Sequence, residues 1–128
     1  MADDEYAFDL DAAGLRFDGA DIVAYVEALA HKLEEALPAQ TAVKRRAKRM
    51  LSREKVVESI AVTLGDHRYA LRLDGHRVQA SRGKQVRDVT IRTDALELDA
   101  WLRELGEELR ARAAESAEAR AALERLVG

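Results

Sequence analysis

The sequence predicts an α+β fold: a four-stranded antiparallel meander over about residues 56–93, with an N-terminal helix and a long C-terminal helix packed on one face. Three observations carry this. The stretch from Val56 to Thr93 alternates apolar and polar residues with period two, the period of a strand. Gly65-Asp66 and Asp74-Gly75 interrupt it with two-residue hairpin chemistry: glycine first suits a type II′ turn, and Asp-Gly suits type I′, where both residues need positive φ. The flanking segments repeat apolar residues at three- and four-residue spacing, as an amphipathic helix does.

The turns imply a register. A turn at Gly65-Asp66 pairs Leu64 with His67, Val62 with Tyr69 and Ile60 with Leu71. A turn at Asp74-Gly75 pairs Leu73 with His76, Leu71 with Val78 and Tyr69 with Ala80. A longer connection near Arg82–Gln85 pairs Val78 with Val89 and His76 with Ile91. One face then holds Ile60, Val62, Leu64, Tyr69, Leu71, Leu73 and Val78, and a one-residue slip would invert every side chain. The other face carries Arg68, Arg72, Arg77 and Arg92 among small and polar residues. In this register Arg72 lies opposite Arg77, a like-charge pair that costs stability unless something relieves it.

The remaining elements follow in order. Met1–Glu5 is expected to fray. Tyr6, Phe8 and Leu10, then Leu15 and Phe17, alternate around Asp11–Gly14, which fits a short hairpin or an extended arm. A helix is predicted over about 19–37, with Ile22, Tyr25, Val26, Leu29, Leu33 and Leu37 as its apolar stripe, capped by Asp18 or Asp21 and ended by Pro38. Residues 38–55 read as a basic connector or a short amphipathic helix, with Val43, Ala47, Met50 and Leu51 at helical spacing. A C-terminal helix starts at a cap among Thr93, Asp94 and Asp99 and carries Leu98, Trp101, Leu102, Leu105 and Leu109. It is either continuous or broken near Ser116, and its far end, 114–128, is long enough to project or self-associate.

Composition sets bounds. The chain has 128 residues, 48% hydrophobic and 35% charged, which fits one globular domain over 1–128. It has no cysteine, so disulfides and thiolate metal sites are excluded and a reducing cytoplasm is compatible. The acidic start MADDEYAFD does not resemble a leader, and no apolar run reaches the ~20 residues that span a bilayer, so a cytoplasmic location is expected. The net charge of −3 hides a segregation: residues 1–42 hold ten acids and two bases, 43–93 hold five acids and fourteen bases, and 94–128 hold nine acids and five bases.

No catalytic or cofactor motif is present. His31, His67 and His76 show no HExxH or paired helical spacing. No serine sits in a G-x-S-x-G context, and there is no phosphate-binding glycine loop. Enzymatic activity, cofactors and metals are therefore not expected. The stretch GHRVQASRGKQVRDVTIRTDALELDAWL, residues 75–102, resembles the end of sterol-carrier-type domains. That likeness implies a larger sheet over several helices around a lipid tunnel, more strands than the four predicted.

These features lead to a small non-catalytic interaction module, self-associating through its C-terminal helix, that binds an acidic protein through Arg68, Arg72, Arg77 and Arg92. Two alternatives stand beside it. One is binding to a nucleic-acid backbone or an anionic membrane through Lys44, Arg45, Arg46, Lys48 and Arg49. The other is a carrier of a small apolar ligand between the sheet and Trp101.

Overall fold

The computed structural model describes residues 19–51, 53–115 and 117–127. The expected fraying of residues 1–5 and the hairpin or arm over 6–17 lie outside these described residues. Helix α1 spans Gly19–Ala36. Five strands follow: β1 Thr41–Ala47, β2 Lys55–Leu64, β3 His67–Asp74, β4 Arg77–Val86 and β5 Val89–Leu96. Helices α2, Leu98–Ala113, and α3, Ala117–Val127, complete the chain. The strands form one sheet in the order β1-β2-β3-β4-β5, each antiparallel to its neighbour. The α+β meander with helices on one face stands, with one strand more than the four predicted.

The extra strand comes from the basic segment, read above as a connector or short helix. Its first half is instead the edge strand β1. Thr41 lies opposite Val62 and Val43 opposite Ile60, so two β-branched residues extend the apolar face of β2. Met50 and Leu51, which would have completed a helical stripe, stand almost fully exposed in the β1–β2 connection. The burial gained beside β2 decides against the helix.

The helices cover one face of the sheet. Ile22, Val26, Leu29, Leu33 and Leu37 are buried as the spacing predicted. After α1 the Thr41 hydroxyl donates to the Leu33 carbonyl at 3.3 Å and the Thr41 N–H to the Leu37 carbonyl at 3.0 Å, so helix end and strand start are tied together. In α2, Trp101, Leu102, Leu105 and Leu109 are fully buried, each worth ~1.5–3 kcal/mol relative to exposure. Its N-cap is Glu97, without a side-chain cap. Asp99 lies in the first turn, where its carboxylate accepts the Ala100 N–H at 2.8 Å. The C-terminal helix is broken at Ala114-Glu115, and α3 folds back on α1. There Leu126 is buried, Lys32 Nζ donates to the Leu126 carbonyl at 3.5 Å and Arg125 donates to the Glu35 carbonyl at 3.2 Å.

The β2–β3 register is the predicted one: Leu64 faces His67, Val62 faces Tyr69 and Ile60 faces Leu71. Gly65 has φ +57°, and Asp66 is not in the positive region, as a type II′ turn requires. The β3–β4 register differs. Asp74 pairs with Arg77, Leu73 with Val78 and Leu71 with Ala80, so the turn residues are Gly75 and His76, not Asp74 and Gly75. Gly75, at φ +63°, again leads a type II′-like turn. Arg72 consequently faces Gln79, and Arg77 faces Asp74. The shift replaces the predicted arginine pair with a pair of opposite charge.

The β4–β5 connection is also tighter than predicted. Arg87 and Asp88, at φ 53° and 68°, turn between Val86 and Val89. A bulge near Lys84 and Gln85 then shifts the register, so Lys84 faces Arg92 while Gln85 faces Thr90. Val89 and Ile91, expected to extend the apolar face opposite Val78 and His76, lie beyond the helices and are exposed.

Candidate functional site

The face of the sheet away from the helices carries a row of small side chains across all five strands. Ala42 faces Ala61, Ala61 faces Ala70, Ala70 faces Ser81 and Ser81 faces Ala95. On one side runs Lys44–Ser59–Arg72–Gln79, and on the other Thr63–Arg68–Gly83–Thr93. The floor is therefore low, with Arg68 and Arg72 standing above it on either side. An open trough of about 690 Å³ lies over it, lined by Ser59, Ala61, Ala70, Ser81 and Ala95 with Arg68 and Arg72 at its margins. Its lining comes from β2 to β5, so strand spacing makes it ~14 Å long and ~13 Å between flanking rows. An α-helix, ~10 Å across with its side chains, matches that width.

Arg68, Arg72 and Arg77 all project from this face, as predicted, and all are exposed. Among the described residues none of the three enters an ion pair, although Arg77 lies opposite Asp74. Arg92 does not belong with them. The β4–β5 bulge turns it to the helix side, opposite Lys84, where its Nε lies 3.1 Å from Asp94 Oδ2.

The cations of the basic segment do not form one patch. Lys44 sits on the open face and pairs with Glu58 at 3.3 Å. Arg45 turns under α1, where it makes two hydrogen bonds to Glu34 at 2.8 and 3.2 Å. That contact holds the Glu34 carboxyl below the usual carboxylate range against a small opposing effect of burial. As neighbours in β1, Lys44 and Arg45 point to opposite faces of the sheet. Lys48 reaches Glu54 across the hairpin at 3.5 Å, while Arg46 and Arg49 remain exposed.

A polar cluster that the sequence reading missed joins α2 to the sheet edge. Glu108 accepts the Tyr69 hydroxyl at 2.7 Å, contacts His67 Nδ1 at 2.9 Å and accepts two bonds from Arg112 at 3.0 and 3.3 Å. Arg82 bonds Glu104 at 2.6 Å. Burial works to raise the Glu108 carboxyl, but the bonds from Tyr69, Arg112 and His67 outweigh it and hold it low. Burial, and then Glu108, push the Tyr69 hydroxyl far above its ordinary range. The legible signal was the Glu104–Glu108–Arg112 series at four-residue spacing on α2. The partners from β3 and β4 could not be read without the register. Through these bonds the cluster pins α2 to the hairpin. His76, which the sequence allowed beside His67, is exposed in the β3–β4 turn.

Trp101 fills the space against the sheet. It is fully buried, edge-on to Tyr69 at 6.2 Å, and its Nε1 donates to the Ser81 carbonyl at 3.1 Å. Among the described residues no helix is long and apolar enough to cross a membrane.

Fold and face together define the class: an α+β protein with one sheet face sealed by helices and the other, among the described residues, open, small-floored and flanked by arginine. No protein-family model, curated protein or solved structure matches the chain. The sterol-carrier resemblance of residues 75–102 gains no support from these comparisons.

Proposed function

We propose that the protein is a non-catalytic interaction module whose open sheet face receives an acidic helical segment of another protein. The observation that carries this reading is the trough itself: a small-residue floor across β2 to β5, flanked by Arg68 and Arg72, which have no carboxylate partner among the described residues. Alanine and serine let a helix backbone come close, and the arginines give bidentate donors to its glutamates. Arg77 extends the same charge beyond the trough, whereas Arg92 and Arg45 are turned away from it.

The test is fluorescence anisotropy with a labelled, alanine-rich helical peptide bearing glutamates. Charge-assisted bonds are worth ~1.5–3 kcal/mol each, so reversal in Arg68→Glu/Arg72→Glu should weaken binding by more than about tenfold. Reversal of Arg46 and Arg49 should leave it nearly unchanged. Equal binding by the wild type and the Arg68/Arg72 variant would overturn the proposal. Binding to a labelled oligonucleotide or to acidic vesicles, lost on reversal of Arg46 and Arg49, would point to the basic hairpin instead.

A further inference from the structure

Strand β5 ends the sheet, and among the described residues its outer edge has no strand partner. The opposite edge, β1, is guarded by Lys44, Arg45 and Arg46, the usual defence of an edge against pairing. Strand β5 carries a single cation, Arg92, which is paired with Asp94 of its own strand. Residues Val89–Thr93 are all exposed, and the hairpin that leads into it overhangs the helical layer. Its Val86, Val89 and Ile91 are 43, 62 and 59% exposed, unusual for β-branched residues in a sheet.

We infer that two copies of this chain pair edge to edge through β5, antiparallel and centred on Thr93. Charge selects that register. With both helical layers on the same side, the pairing must oppose residues of like parity, so the two-fold axis passes through a residue. An axis at Arg92 sets arginine against arginine, and one at Asp94 sets carboxylate against carboxylate. An axis at Thr93 sets Arg92 of each copy opposite Asp94 of the other, so both ends of the seam are complementary.

The same register gives the overhang an occupant. Beyond the bulge at Ile91, the Val89–Ile91 end of one copy lies toward the Ala95–Leu98 end of the second, next to its partly buried Leu96 and Leu98. Apolar side chains that the chain's own helices leave uncovered thus meet the start of α2 in the other copy. The open faces of the two copies join on the side away from the helices. This inference is independent of the acid-binding reading: either can fail alone, because Arg92 and Thr93 are tested by association and not by peptide binding.

The chain contains no cysteine, which permits a direct test of register. Neighbouring strands place facing Cα atoms within the ~4.4–6.8 Å that a disulfide spans. Mild oxidation of Thr93→Cys should therefore give a covalent dimer, while Ala42→Cys on the other edge should stay monomeric. Light scattering should give a dimer mass for the wild type. Arg92→Asp should raise the dimer dissociation constant by more than about tenfold, and Arg92→Asp/Asp94→Arg should restore it. Val89→Lys/Ile91→Lys should be monomeric with an unchanged circular dichroism spectrum. A monomeric wild type, or a Thr93→Cys variant that does not cross-link, overturns the inference. So does a dimer indifferent to Arg92→Asp.

Discussion

The Tyr69 hydroxyl donates to the Glu108 carboxylate at 2.7 Å, from a fully buried ring on β3 to a mostly buried acid on α2. His67 and Arg112 reach the same carboxylate, so one side chain joins the β2–β3 hairpin to the helix above it. Glu108→Gln keeps the shape but removes the charge that three donors share. It should cost ~1–3 kcal/mol, read as a lower midpoint in urea unfolding at neutral pH. An unchanged midpoint would mean that the cluster does not hold the helix.

The pH dependence follows from the same contact. In the folded chain Glu108 titrates below its ordinary value of 4.5, so in the interval between the two values the unfolded chain binds more protons. Its contribution is complete above that ordinary value and is lost as pH falls through the folded one. Tyr69 behaves oppositely. Its folded value lies above the ordinary 10.0, so its contribution is complete below that pH and is lost as pH rises. Unfolding midpoints measured across pH should fall at both ends. Glu108→Gln should flatten the acid limb and retain much of the alkaline one, because burial is the first cause of the tyrosine shift.

Gly65 and Gly75 both have positive φ, but their surroundings differ. A Cβ at Gly65 would collide with the Arg112 guanidinium, whereas one at Gly75 meets open space. Each alanine substitution should cost ~1 kcal/mol for the backbone, and Gly65→Ala should cost more by displacing Arg112. Equal losses in the two thermal midpoints would remove Arg112 from the account.

The Arg87-Asp88 turn holds two non-glycine residues in the left-handed region. Replacing them with Asn-Gly, the pair that this turn geometry favours, should stabilise the chain by ~1 kcal/mol or more. Calorimetry that finds no gain would indicate that the tip is not strained.

The floor of the trough offers a binding test without changing charge. Ala70→Trp projects into the space above Ala61 and Ser81, away from the core. It should abolish capture of the acidic helical peptide while leaving the unfolding midpoint nearly unchanged. Retained affinity would place the peptide elsewhere.

The sequence by itself determined the meander, the helical stripes and the division of side chains into an inner and an outer face. Those features depend on local periodicity and on glycines that only certain turns accommodate. It did not determine the β3–β4 register. A shift by two residues leaves every side chain on the same face, so the apolar pattern is blind to it. Asp74-Gly75 and Gly75-His76 both provide a glycine for a tight turn. Two pairings within the hairpin, Asp74 opposite Arg77 and Gln79 opposite Arg72, and one contact from a distant part of the chain, Arg82 beneath Glu104, favour the second. Bulges decided the rest, because one extra residue reverses the parity on which a face assignment relies. The β4–β5 bulge sent Arg92 to the helix side, whereas Arg45, in phase with Thr41 and Val43, reaches that side by plain alternation. Neighbouring strands, and not the chain's own alternation, set where a bulge falls, so tertiary structure separated Arg92 from Arg68, Arg72 and Arg77, which alternation had already placed together.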